Sequence, residues 1–153
     1  MSHVAVVDVE IKDLKALEKA CENLNLKFNW NQQTYKWYGR SVGDYPLPNG
    51  FKKEDLGKCD HAISIPNNSK AYEIGVCESR TSKKDSHCLL WDFWQGGFGM
   101  QKIVGDNCSN LTHEYAKEVA RKEVSKLAQA QNWTVTEDYN EQTGETTIRL
   151  RKY

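Results

Sequence analysis

Apolar and polar positions along this chain alternate with two periods, and the switches between them mark out its elements. Val7, Val9 and Ile11 interleave with Asp8, Glu10 and Lys12, the two-residue period of a half-buried strand. The preceding Val4-Ala5-Val6 is apolar on both faces, which suits a central strand. Asp13 then stands where a helix N-cap belongs, and Leu14, Leu17, Cys21 and Leu24 fall on one helical face behind it. Asn23 or Asn25 is positioned to end that helix in a left-handed conformation. Leu26, Phe28 and Trp30 start a second strand, the NQQ at 31–33 reads as a turn, and Tyr35 and Trp37 continue the alternation, so a hairpin over 26–38 is expected.

From Gly39 to Lys58 no period survives, and glycines, Pro46 and Pro48 mark a long loop excursion over 39–58. Short strands follow around Ile63 and Ile65, over Tyr72, Ile74 and Val76, and from Cys88 to Trp94, with SRTSKKDS at 79–86 as a hairpin loop. The helical period returns from Leu111 to Gln131, where Tyr115, Ala116, Val119, Ala120, Val124, Leu127 and Ala128 form a broad apolar face. Asn110 or Thr112 is its expected cap, and Glu118 with Lys122 its expected i,i+4 pair. A last hairpin runs from Trp133 and Val135 through Thr143-Gly144 to Ile148 and Leu150. Two helices are too few to cover both faces of so wide a sheet, and runs of hairpins favour antiparallel pairing. The expected fold is α+β: a two-layer sandwich of a mainly antiparallel sheet with two helices on one face. A length of 153 residues fits one domain, 1–153.

Several of these segments together resemble a small uncharacterised family, a domain of unknown function. Its members are hypothetical plastid-encoded reading frames, cyanobacterial proteins and bacteriophage proteins. The resemblance rests on the opening MSH, the strand ending Ile11-Lys12-Asp13-Leu14 with its L-x-x-L helix, and Tyr72-Glu73-Ile74-Gly75. It continues through Trp91 to Trp94, Tyr115-Ala116 and the closing hairpin Gly144 to Leu150. The chain departs from the plastid type at 39–62, where it is longer, and at Gln95 to Gly99, where it is richer in glycine; both departures look like phage-type members. The resemblance implies a fold and no activity.

Charge narrows the partners. Lys and Arg number 21 against 21 Asp and Glu, and the clusters Lys52-Lys53, Lys83-Lys84 and Arg149-Arg151-Lys152 are short, so nucleic acid is not expected as the main partner. The segment MSHVAVVDVEIKD lacks a basic stretch followed by an apolar run, and no apolar run approaches a bilayer span, so a cytoplasmic location without a membrane partner is expected. Five Cys in no disulfide framework read as reduced thiols. Cys59, His61, Cys77, His87 and Cys88 cluster in sequence, yet strand alternation sends His87 and Cys88 to opposite faces, so neither a metal nor another cofactor is expected. Cys108, ahead of the second helix, could gain thiolate character from the helix dipole.

The candidate site lies in Trp91-Asp92-Phe93-Trp94-Gln95-Gly96-Gly97-Phe98-Gly99. Alternation puts Trp91 and Phe93 under the helices and Asp92 with Trp94 on the other face. If that face is open, Asp92, Trp94, Gln95, Gly96 and Gly97, joined by Trp37, Tyr38 and Arg40 at the mouth of the long loop, form a ligand-binding set that stacks on a ring and accepts from its amino groups. The plainer reading is that the long loop folds over this face and the aromatics make a second small core. The expected function is a non-enzymatic binding or accessory protein, of phage type, that takes a small ligand or protein partner or self-associates into a homo-oligomer. The alternative is a small hydrolase or nucleotide-processing enzyme using Asp92 and His3.

Overall fold

The structure, a computed structural model, describes residues 3–39, 46–80 and 85–152. It is an α+β fold. A five-stranded antiparallel sheet carries β1 (Val4–Ile11), β2 (Lys27–Asn29), β3 (His61–Ser64), β4 (Ile74–Glu78) and β5 (His87–Asp92), in the order β1-β5-β4-β3-β2. A separate two-stranded sheet pairs β6 (Thr134–Tyr139) with β7 (Thr146–Arg151). The helices are α1 (Leu14–Asn23), the short α2 (Met100–Val104) and α3 (Ser109–Gln131).

β1 is an edge strand rather than a central one. Its opening is apolar on both sides because both faces of the sheet are covered there: Val7 and Ile11 join the core under the helices, while Val4 joins a second core on the opposite face. A register shift between Val7 and Ile11 interrupts the pairing with β5, which resumes at Ile11 opposite His87, a common device at edges.

α1 forms as its pattern dictates. Asp13 accepts a hydrogen bond from the Ala16 amide at 3.0 Å, and Ala16, Leu17, Ala20 and Cys21 are buried. Asn25, with φ at 59°, turns the chain into β2. The core under the helices gathers Leu17, Phe28, Ile63, Ile74, Val76, Leu89, Trp91, Met100, Val104 and Leu111. Each such fully buried side chain contributes about 1.5–3 kcal/mol relative to exposure.

The expected hairpin over 26–38 does not form. β2 ends at Asn29, Asn31 takes φ 60° with its amide donating to His61 Nδ1, and the chain crosses to the other face of the sheet. There Tyr35, Phe51 and Leu56 pack with Ala62, Cys77, Cys88 and Leu90 as the second core. The Tyr35 amide donates to Gly57 O and the Glu73 amide to Lys36 O, which fastens the aperiodic segment across the strands. The absence of a side chain at Gly75 admits Tyr35, since a Cβ there would lie 2.6 Å from its ring. The segment 35–56 is thus the layer opposite the helices, as far as its described residues go.

α3 begins two residues before the expected start, with Cys108 at its cap position in a left-handed conformation; Thr112 Oγ1 instead donates to Ser109 O. It runs antiparallel to α1: Tyr115 OH accepts from the Lys12 and Asp13 amides, and Asn23 donates to Glu114 and Glu118 at the opposite end. The expected Glu118–Lys122 pair is replaced by Glu118 with Arg121 and by Lys122 with Asp13, 2.8 Å apart, because α1 brings a carboxylate closer. Only Leu111 and Ala128 of α3 are buried, and the helix holds the β6–β7 hairpin through Arg121 and Glu137. The last hairpin therefore builds its own sheet on α3 instead of extending the main one.

Candidate functional site

β5 stops at Asp92, two residues before the expected end at Trp94, because that carboxylate collects backbone donors from three directions. Oδ1 accepts from the His3 amide at 2.9 Å and the Trp94 amide at 3.0 Å, and Oδ2 accepts from the Tyr38 amide at 3.1 Å. Asp92 is fully buried. A carboxylate bonded by three amides is a strong charge-assisted hub, and here it ties together the amino terminus, the segment on the second face and the loop that follows it.

That loop leaves the strand in an uncommon shape. Gln95, Gly96, Gly97 and Phe98 take φ of 52°, 64°, 63° and 54°, a single left-handed turn. Glycine tolerates this at positions 96 and 97, whereas Gln95 and Phe98 bear a cost of about 1–2 kcal/mol each for an L-residue. Gly97 is buried, and a Cβ there would come within 3.2 Å of the Met100 side chain; its carbonyl accepts from the Tyr72 amide at 2.9 Å. The Phe98 ring meets Tyr72 edge-on, with centroids 4.9 Å apart, and stays 46% exposed. The His3 imidazole packs against Phe93 and Trp94, centroids 5.4 and 5.1 Å away. Burial, and next the Asp92 charge, raise the Tyr72 phenol above its ordinary pKa.

The structure brings together Asp92, Trp94, Gln95, Gly96, Gly97 and Tyr38 at one end of the sheet. Trp94 is half-buried, Gln95 is exposed, and Tyr38 is exposed. Trp37 turns away into the second core, its indole lying so close over Gly57 that a Cβ there would be 2.4 Å from Nε1. Arg40 lies outside the described residues. Asp92 and His3 also meet, but through the His3 backbone amide, while the imidazole faces aromatic rings. His3, Tyr72 and Phe98 belong to this aromatic end and were not singled out as ligand-binding residues; the only signal for Phe98 was its place among the glycines.

The cysteines and histidines separate as strand alternation requires. Cys88 lies on the second face beside Cys77, its cross-strand neighbour, and Cys59; all five cysteines are free thiols. Burial pushes Cys59 up to about 12 and Cys88 to about 11. Cys108 sits in the helix-side core, and burial pushes its thiol up to about 12, so desolvation overrides any gain from the helix end. His61 and His87 stand with ring centroids 6.2 Å apart, and His87 Nε2 lies 4.0 Å from Asp60. Among the described residues no three His, Cys, Asp or Glu side chains converge with metal-ligand spacing, and no helix is long and apolar enough to cross a membrane.

Fold and site together define a small α+β protein whose antiparallel sheet is covered by helices on one face and by irregular chain on the other. Comparison of the chain with known protein families, curated proteins and solved structures finds no match.

Proposed function

We propose that this is a non-enzymatic binding or accessory protein, and that the aromatic end of the sheet, with Tyr38, Trp94 and Phe98 at its rim, is where a small ligand, a protein partner or a second copy of the chain docks. The observation that carries the reading is Phe98: a large ring held 46% exposed at φ 54°, where stability alone would favour glycine or asparagine. Strain spent on an exposed aromatic points to a contact made outside the chain. The Asp92 hub beneath supports this, because it fixes the loop in advance and lowers the ordering cost of an encounter. The resemblance to phage members of the uncharacterised family, together with the free thiols, supports a phage-encoded protein working in the host cytoplasm.

Two measurements on the purified protein test the reading: Trp emission during titration with nucleotides and cyclic dinucleotides, and sedimentation velocity across concentrations. A saturable emission change or a concentration-dependent dimer, lost in Phe98→Asn, is the expected outcome; asparagine keeps the left-handed backbone and removes only the ring. A flat titration together with a monomer throughout would remove the reading. Nucleotide turnover abolished by Asp92→Asn would replace it with the alternative of a small hydrolase or nucleotide-processing enzyme.

A further inference from the structure

No residue of β6 or β7 is buried. The two strands make a sheet of their own, so each keeps one edge without a neighbouring strand. A lone two-stranded hairpin is marginal in water and depends on a helix or on further strands for cover. Here α3 supplies Ala128 as its one buried residue beyond Leu111, while Leu127 on the helix and Val135 and Tyr139 on β6 stay 50%, 36% and 64% exposed. Open strand edges beside apolar surface are templates for pairing with another chain.

The register says what the β7 edge presents. The Asn140 amide donates to Glu145 O at 2.9 Å, which makes Tyr139 and Thr146 a non-hydrogen-bonded pair of the ladder. Such pairs recur at every second residue, so the amides and carbonyls of Thr146, Ile148 and Leu150 all turn away from β6. The same three side chains are half-buried towards α3, because Ile148 lies opposite Glu137, whose carboxylate holds Arg121 of the helix. Thr147, Arg149 and Arg151 are exposed on the other face.

Charge separates the two edges. β6 carries Glu137 and Asp138 and no basic residue, so two copies joined along it would gather carboxylates about their axis. β7 carries Arg149 and Arg151 and follows directly on Glu145, which puts both signs along one face. Two copies meeting at β7 run antiparallel about a two-fold axis, and the pleat requires each residue to meet one from its own face. With the axis beside Ile148, Ile148 meets its own copy, Thr146 meets the partner's Leu150, and Arg151 meets the partner's Glu145. With the axis one residue later, Arg149 meets itself, a like-charge contact. With the axis one residue earlier, Leu150 meets the partner's Gly144 and loses its side-chain neighbour.

We propose that β7 is a self-association edge, where a second copy of the chain pairs antiparallel about Ile148 and joins the two hairpins into one four-stranded sheet backed by both α3 helices. The outward amides and carbonyls of Thr146, Ile148 and Leu150 close the new ladder, and their side chains form one continuous strip over the helices. The joined sheet has the extra strands and the apolar face that a lone hairpin lacks. This edge belongs to a different sheet from the rim at Phe98 and does not depend on it.

The test is sedimentation velocity of the full chain at low ionic strength, at concentrations up to about 1 mM. A monomer–dimer equilibrium is expected. Arg151→Glu should weaken the dimer by about tenfold, because both symmetric contacts turn from attraction to repulsion, and adding Glu145→Arg should restore it. Both residues are exposed, and within the chain Arg151 lies opposite Thr134, so both variants should keep the wild-type urea midpoint. Amide hydrogen exchange gives a second readout: Thr146, Ile148 and Leu150 should gain protection as concentration rises. A monomer throughout overturns the proposal, as does a dimer indifferent to Arg151→Glu or one that the double variant fails to restore. Phe98→Asn should leave this dimer intact; a dimer abolished by Phe98→Asn would belong to the rim and would overturn the proposal as well.

Discussion

The two faces of the main sheet are covered by different materials. Under the helices lie large aliphatic side chains and Trp91, drawn from strands and helices of clear period. On the opposite face lie Tyr35, Phe51 and Leu56 from irregular chain, set against the small residues and thiols Ala62, Cys77 and Cys88. Helices cover a sheet by repetition, so one stripe buries many residues at once. Irregular chain covers it by single anchors, each needing its own gap, as Tyr35 needs Gly75 and Trp37 needs Gly57. The first kind of cover is robust and generic; the second is specific and brittle.

The contrast can be broken from either side, and the five thiols report which face has opened. Leu17→Ala under the helices should cost about 2–5 kcal/mol by cavity formation, seen as a lowered urea midpoint. It should speed labelling of Cys21 and Cys108 before that of the second-face cysteines. Gly75→Ala should cost less, about 1–3 kcal/mol, because Tyr35 must yield to a Cβ 2.6 Å away. Its labelling order should reverse, with Cys59, Cys77 and Cys88 reacting first. Equal acceleration of all five thiols in both variants would mean that the two layers open as one.

The smallest effect concerns the crossing point between the layers. His61 Nδ1 accepts from the Asn31 amide, and burial, opposed by Asp60 and reinforced by His87, lowers its pKa from 6.5. A depressed folded pKa means the fold prefers the neutral ring, so this contribution is fully present above about pH 6.5 and fades as pH falls from there towards the folded value. Urea midpoints at pH 7.5 and 5.5 should show the loss, and His61→Phe, which keeps contact with Phe28 and Trp30, should not show that component.

What was legible in the residues is what depends on near neighbours. Asp13 three residues before Ala16, the face of α1 and the alternation of β1 each state their own geometry. Cover of the second face was open only as one of two readings, because Phe51 and Leu56 sit in a stretch with no period to expose them. Partners distant in sequence were the main losses. Lys122 had Glu118 one turn away and took Asp13 instead, 109 residues distant. Asp92 was read as a group offering itself to a ligand, and nothing in its neighbours announces that three backbone amides fill it first. A carboxylate's near partners, such as the Ala16 amide of Asp13, leave a pattern in sequence; its distant ones, backbone or side chain, do not.

The reach of α3 carries a consequence for how the molecule comes apart. Its 23 residues extend about 34 Å, yet beyond Leu111 only Ala128 of the helix is buried, with Leu127 and Tyr139 left 50% and 64% exposed. Such a thinly buried end opens at a free energy well below that of global unfolding. Amide hydrogen exchange over 127–151 should therefore run through fraying, while β4 and β5 exchange only when the whole chain unfolds, so that one short chain holds two clocks.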